Sequence, residues 1–329
     1  MNEKFMVIGS NSFSGSNFVD FILKKRRKVV GISRSDEPGD VFLPYKKHQN
    51  PEFEFHKLNL NHDLDGIMRV VCAFRPDYIV NFAAQGMVAQ SWDNPEHWLQ
   101  TNLVANVNLH DRLRRCDFIK KYVQVSTPEV YGSCEGKVKE STSYNPSTPY
   151  AVSKAAADMS LMTFYKTYNF PVVFTRSANV YGPGQQLYRI IPRTILYFLT
   201  GRKLQLHGGG HSVRSFIHIM DVADGTLKVA ENGPVGEIFH FSTSRNISIR
   251  ALVEMIAKQM GVSFDDNVEV VEDRAGKDAA YLLDNSKAKK LLNWEDKITL
   301  EQGVEETIAW VTDNLDILQK QPLDYIHKQ

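Results

Sequence analysis

Tyr150 and Lys154 stand four residues apart in PYAVSK, a spacing that places both on one face of a helix. An ammonium beside a phenol stabilises the phenolate and lowers the phenol's pKa, so the phenol can serve as base or acid near neutral pH. Upstream, VSTPEVYG (125–132) ends an apolar run with Ser126, Thr127, Pro128 and Glu129: two hydroxyls, a proline and a carboxylate. Tyrosine and lysine are common, so their spacing alone says little. After a nucleotide-type loop and a strand ending in Ser-Thr, it marks a catalytic pair. Glu129 has two readings: a proton-transfer group, or a solvated turn residue after a strand that Pro128 ends.

GSNSFSG (9–15) supplies the nucleotide-type loop. It follows an apolar run and opens a helix, whose free N–H groups favour a pyrophosphate. Gly9, Asn11, Ser12, Phe13, Ser14 and Gly15 are its candidate contacts, with Ser12 where many such loops have a middle glycine. A plain tight turn is the other reading. A carboxylate at the end of the second strand would accept the ribose 2′-OH of NAD. GISRSDE has Ser33 and Arg34 there instead. A hydroxyl and a guanidinium suit a 2′-phosphate, which favours NADP over NAD unless Arg34 is a solvated loop residue. Asn59 and Leu60 are placed to meet the adenine. Phe82, Ala83, Ala84 and Gln85 of NFAAQG (81–86) would pass along the cofactor, with Asn102 behind them.

These groups need a scaffold. Short runs rich in β-branched residues at 5–9, 28–33, 53–58, 77–83, 121–126 and 172–177 alternate with helix-period segments such as 17–25 and 101–115. That alternation predicts an α/β protein: a Rossmann-type doubly wound parallel sheet with right-handed crossovers. Glycine-rich punctuation and amphipathic helices after Ser248 and Thr299 predict a smaller C-terminal α/β substrate domain. The expected division is a dinucleotide-binding domain at 1–177 with returning segments about 212–242, and a substrate-binding domain at 178–211 and 243–329.

Composition narrows the class. A hydrophobic content of 43% in 329 residues is ample for a packed core. The net charge of +1 and the isolation of KKRRK (24–28) argue against a nucleic-acid partner. Three cysteines without CxxC spacing indicate neither a disulfide framework nor a metal site. With no signal peptide and no bilayer-length apolar run, a cytoplasmic protein that does not contact membranes is expected.

The chain resembles the extended short-chain dehydrogenase/reductase family throughout, in GSNSFSG, NFAAQGMVAQS, QTNLVANVNL, VSTPEVYG, PYAVSK, RSANVYGPGQ, HGGGHSVRSFIHIMDVADG and DRAGKDAAYLLDNSKAKKLLNW. Within it the chain is most similar to the nucleotide-sugar 4,6-dehydratases of the GDP-mannose and dTDP-glucose types, which carry a glutamate at the position of Glu129. The resemblance implies an enzyme that converts a nucleotide-diphosphate hexose to its 4-keto-6-deoxy derivative, using a tightly bound NADP or NAD that is regenerated each turnover. It implies that Tyr150 takes the C4 hydroxyl proton, that Thr127 holds that hydroxyl, and that Glu129 removes the C5 proton before water leaves C6. The dTDP-glucose type has an aspartate where this chain has Pro128, so the group that protonates the leaving hydroxyl is open. Ser91, Ser126, Thr127, Asn179, Arg189, Arg214 and Arg274 fall at or near substrate-side positions. For each of the arginines the other reading is a surface ion pair. Relatives pair through two helices, here 101–116 and 151–168, which implies a homodimer. A 4-epimerase needs Thr127, Tyr150 and Lys154 but not Glu129. A uronic-acid decarboxylase and a non-catalytic dinucleotide sensor are the other readings.

Overall fold

Seven short runs rich in β-branched and aromatic residues form one parallel sheet: β1 (Lys4–Ile8), β2 (Lys28–Ser33), β3 (Phe53–Lys57), β4 (Tyr78–Asn81), β5 (Lys121–Val125), β6 (Val172–Ser177) and β7 (Ile238–Phe241). The computed structural model describes residues 3–47, 50–134, 136–272 and 282–328. The strand order is β7-β6-β5-β4-β1-β2-β3. The order reverses between β1 and β4, and open α/β sheets bind ligands at such a point, beyond the carboxyl ends of the strands.

Side chains on a strand alternate between faces, and a parallel sheet must be covered on both. Phe5, Val7, Val29, Val80 and Val123 pack on one face against Phe18 and Ile22 of helix Phe13–Lys24 and Val222 and Leu227 of helix Ile219–Asn232. Met6, Ile8, Val30, Ile79 and Tyr122 pack on the other against Ile67 of Leu64–Phe74, Leu109 of Ala105–Leu113 and Leu161 of Pro149–Tyr168. Each fully buried aliphatic contributes about 1.5–3 kcal/mol, so the two layers hold the carboxyl edge of the sheet rigidly.

A second core gathers Tyr181, Leu196, Leu206, Phe216, Val253, Ile256, Val304 and Trp310. Its helices Ile249–Met260 and Leu300–Asp313 start where the sequence indicates, capped by Ser248 and by a reciprocal Thr299–Gln302 box.

Three boundaries differ from expectation. The first helix starts at Phe13 rather than 17, because the Ser12 side chain caps it inside the glycine loop. The segment expected as helix 101–115 belongs to a helical run that starts earlier, at Pro95–Leu99, widens into a π-helical turn at Gln100–Val104 and ends as helix Ala105–Leu113. Of the segment about 212–242, only β7 joins the large sheet. Strand Val213–His218 pairs instead with Asn179–Tyr181 and Asn246–Ser248. No helix among the described residues is long and apolar enough to cross a membrane.

Candidate active site

The loop over the carboxyl end of β1 has no room for side chains at its two glycines. Gly9 has φ +84°, and a Cβ on it would lie 2.6 Å from the Ala83 nitrogen. A Cβ on Gly15 would lie 2.1 Å from the Gly9 carbonyl oxygen. Ser12 fastens the turn: its hydroxyl accepts from the Gly15 N–H at 3.0 Å and donates to the Gly9 carbonyl at 2.7 Å. This bare backbone cradle at a helix N-terminus fits the pyrophosphate of a dinucleotide.

The neighbouring candidates divide by what their side chains already do. Asn11 ties the loop to the end of β2: its N–H donates to Ser33 Oγ at 3.0 Å and its amide to the Ser35 and Asp36 carbonyls at 3.0 and 3.1 Å. Phe13 is buried and Ser14 half-buried in the first helical turn. Arg34 is half-buried beside the loop and donates to the Lys328 carbonyl at 3.1 Å; burial pulls its pKa down. Asn59 caps a turn by accepting from the Asn61 N–H, and Leu60 is buried in the core. Past β4, Phe82 packs on Phe18, Ala83 is half-buried and Ala84 is exposed. Asn102 does not face the groove. It accepts from the Gln85 N–H at 2.8 Å and donates to the Gln85 carbonyl at 3.0 Å and to Ser153 Oγ at 2.9 Å. Every polar atom of the Asn102 side chain therefore braces buried Gln85 against the helix that carries Tyr150.

That helix, Pro149–Tyr168, starts on Thr148, whose side chain accepts from the Ala151 N–H at 3.1 Å, with Pro149 in the first turn. Tyr150, Lys154 and Asp158 recur every four residues on the face toward β5. Lys154 is buried, and its ammonium donates to the Val125 carbonyl at 2.8 Å. Beyond Val125 the chain folds into a single tight turn, Pro128–Tyr131, with Thr127 as its cap accepting from the Glu129 N–H at 3.3 Å. Pro128 thus opens a turn, where its fixed φ and missing N–H cost nothing. The turn carries half-buried Glu129 back toward Tyr150. Gly132 closes it at φ +69°, where a Cβ would sit 1.9 Å from the Asn145 carbonyl oxygen.

Charges at this site interact. Burial, then the Glu129 carboxylate, push the Tyr150 phenol well above its usual range, against a hydrogen bond with Thr127 and the positive charge of Arg189. Burial brings Lys154 down to about 8, with Asp158 opposing. The phenol is therefore raised, where the Tyr-Lys spacing suggests a lowered one. Desolvation outweighs the ammonium, which is turned onto the Val125 carbonyl.

Behind the pair lies a buried network that the sequence reading does not include. Asp158 Oδ2 accepts from Ser126 Oγ at 2.6 Å and from the Arg176 guanidinium at 2.9 Å. Arg176, fully buried on β6, also donates to the Ser141 carbonyl and the Tyr144 hydroxyl and lies 4.6 Å from the Tyr131 ring centre. The Tyr131 hydroxyl meets His240 Nε2 at 2.7 Å. Burial holds that imidazole neutral, at about 3. The i+8 position of Asp158 was the available signal. Ser126 is thus bonded into this network.

Among the other substrate-side candidates, exposed Arg189 is near enough for its charge to act on Tyr150. Asn179 is exposed and donates to the Ser215 carbonyl at 3.1 Å. Arg214 donates to its neighbour's carbonyl, Val213, at 2.9 Å. Ser91 is fully buried, with its hydroxyl on the Val88 carbonyl at 2.6 Å, inside a turn. Arg274 lies outside the described residues.

A parallel sheet with a glycine cradle at its switch point, and a Tyr-Lys helix against the next strand, define a dinucleotide-binding α/β protein with a proton-transfer site. Residues 6–307 match the family model for GDP-mannose 4,6 dehydratase, and the chain belongs to that family. It is 31% identical to a dTDP-glucose 4,6-dehydratase of Xanthomonas campestris pv. campestris, covering 94% of this chain and 93% of the relative. It is 29% identical to a trifunctional UDP-glucose 4,6-dehydratase/UDP-4-keto-6-deoxy-D-glucose 3,5-epimerase/UDP-4-keto-L-rhamnose-reductase of Arabidopsis thaliana, over 95% of this chain and 47% of the plant protein. The chain thus spans about half the length of that relative. Among solved structures it is similar to a dTDP-glucose 4,6-dehydratase of Bacillus anthracis in complex with NAD, with TM-score 0.87, 32% identity, and 96% and 99% of the two chains covered.

Proposed function

We propose that this protein is a nucleotide-sugar 4,6-dehydratase: it converts a nucleotide-diphosphate hexose into the 4-keto-6-deoxy sugar nucleotide with loss of one water. The observation that carries the reading is the turn after β5, in which the Thr127 hydroxyl accepts from the Glu129 N–H at 3.3 Å, and from which both side chains are near enough to act on the Tyr150 phenol, Thr127 lowering and Glu129 raising its pKa. An epimerase has use for Thr127 and Tyr150 but none for a carboxylate there. A sensor has use for none of the three.

Residues 9–15, Arg34 and the 82–85 backbone would hold the dinucleotide. The bound nicotinamide would take a hydride from C4 of the sugar and give it back at C6. Tyr150 takes the C4 hydroxyl proton, with Thr127 orienting that hydroxyl. Only the phenolate form of Tyr150 can accept this proton, and the Lys154 charge favours that form against the desolvation that opposes it. Glu129 then removes the C5 proton, made acidic by the adjacent ketone. With Pro128 unable to donate, Glu129 passes that proton to the hydroxyl leaving C6. The Glu129 carboxylate then takes a proton from solvent and delivers it to C5, so one base serves both steps, and Tyr150 releases the C4 hydroxyl proton to solvent to restore the phenolate. Arg189 suits the diphosphate.

The dinucleotide is NADP on this reading. The end of β2 offers Arg34 and no carboxylate, and a guanidinium holds a 2′-phosphate through charge-assisted bonds. NAD, the ligand of the Bacillus relative, is the alternative. Residues 1–177 with β7 form the dinucleotide-binding part, and most of the remainder the substrate part. Exposed Leu99, Val104, Val152 and Met159, on or beside the helices at 95–113 and 149–168, support pairing of two copies through those helices.

Mass spectrometry of reactions with GDP-, UDP-, CDP- and dTDP-hexoses tests the function. Loss of one water from one of them is expected. Epimerisation without a mass change, or loss of carbon dioxide from a uronic acid, would replace the reading.

A further inference from the structure

Residues 322–328 form neither helix nor strand and bend at Leu323–Asp324, with Leu323, Tyr325 and His327 half-buried and Pro322, Asp324, Ile326 and Lys328 exposed. Such alternation belongs to a segment laid along a surface on one face. Its contacts lie on both parts of the molecule. On the substrate side, Arg193 donates to the Leu323 carbonyl and, at 3.0 Å, to the Asp324 carboxylate, and the Tyr188 and Tyr325 rings meet edge to face at 5.8 Å. On the dinucleotide side, the His327 ring stacks on buried Trp98 at 5.1 Å and its Nε2 lies 2.8 Å from His97 Nδ1. Gln85, also buried, donates to the Lys328 carbonyl at 2.5 Å and accepts from the Tyr325 hydroxyl at 3.4 Å.

The Lys328 carbonyl accepts from Arg34 as well, at 3.1 Å. Arg34 follows β2 and Gln85 lies just beyond β4, and these strands flank β1. One carbonyl bonded to both therefore spans the carboxyl end of β1, where the glycine cradle lies.

We propose that residues 323–328 are a strap that closes the dinucleotide groove in the cofactor-free protein and is displaced when the dinucleotide binds. This rests on the dinucleotide reading above. A ligand running from Arg34 to Gln85 has to take the place of the Lys328 carbonyl. The exchange favours the ligand, because a phosphate offers the guanidinium an opposite charge and a bidentate pair of acceptors, which a single neutral carbonyl does not. Until then the seated strap lowers the apparent affinity by the fraction of molecules left open.

The test pairs wild type with a Tyr325→Ala/His327→Ala variant, which removes both inward-facing rings. NADP and NAD are titrated by tryptophan fluorescence, and hydrogen exchange of a peptide covering 322–328 is followed with and without saturating dinucleotide. The variant should bind about tenfold tighter if the strap is seated about nine-tenths of the time, and saturation should speed exchange of the wild-type segment. Equal affinities, or exchange that slows on saturation as for a lid closing over its ligand, would overturn the strap alone. If neither chain binds a dinucleotide, the strap and the functional reading fall together. Matching urea-unfolding midpoints keep the comparison to the strap.

Discussion

The Lys154 ammonium donates to the Val125 carbonyl at 2.8 Å, so the helix of Tyr150 is bonded directly to the end of the strand that leads into Thr127 and Glu129. This bond keeps the phenol and the carboxylate-bearing turn in register. It also buries a cation.

Burial has a measurable consequence. Lys154 sits at about 8 in the folded chain against an ordinary 10.5. Between these values the unfolded chain binds more protons, so stability from this group rises with pH across the window and is lost again as pH falls through 8. The stability of wild type minus that of Lys154→Met should grow by about 3 kcal/mol from pH 7 to pH 10.5. Urea unfolding at both pH values measures it. A constant offset, such as that from the orphaned Val125 carbonyl, cancels. A flat difference would mean that Lys154 is solvated.

Asp158→Asn leaves Arg176 as a buried charge without its counter-ion. Removing one member of a buried pair costs about 3–5 kcal/mol. Denaturant unfolding should show a loss of that order, and a variant within 1 kcal/mol of wild type would mean that water reaches the pair.

Arg34→Ala should weaken NADP by roughly 1.5–3 kcal/mol, the value of a charged hydrogen bond, and NAD far less. Equal losses for both dinucleotides, measured by titration, would remove the 2′-phosphate contact and leave NAD as the cofactor.

Met159 is 54% exposed on the helix proposed to pair two copies. Met159→Glu places a charge in that interface, and sedimentation should show a dimer for wild type and a monomer for the variant. A monomeric wild type would contradict the pairing.

Much of this site can be read from the chain because its parts are local. Tyr150 and Lys154 are four residues apart on one helix, and Thr127 and Glu129 share one turn. The β-branched runs mark six strands of the large sheet to within two residues at either end. What the sequence hides is tertiary. Asp158 meets Arg176 only because helix 149–168 packs across β6. Asn102 looks like a groove residue until its amide is seen to brace Gln85. The direction of the Tyr150 shift depends on burial, which spacing does not report. Ile238–Phe241 joins the large sheet only after a long excursion through the second core. Residues 323–328 alternate but carry no motif, so their place between Arg34 and Gln85 emerges only in three dimensions.

The central claim is that Glu129 does the proton chemistry at C5 and C6 while Tyr150 does it at the C4 oxygen. Glutamine keeps the shape of the side chain but cannot take a proton. The most direct measurement is one reaction of Glu129→Gln in deuterium oxide with the accepted sugar nucleotide, following nicotinamide absorbance and product mass together. We predict that reduced cofactor accumulates with the 4-keto hexose, that no water is lost, and that no deuterium enters C5, while Tyr150→Phe, run alongside, shows no absorbance change. Release of water by Glu129→Gln at the wild-type rate would contradict the account and put the chemistry on another group.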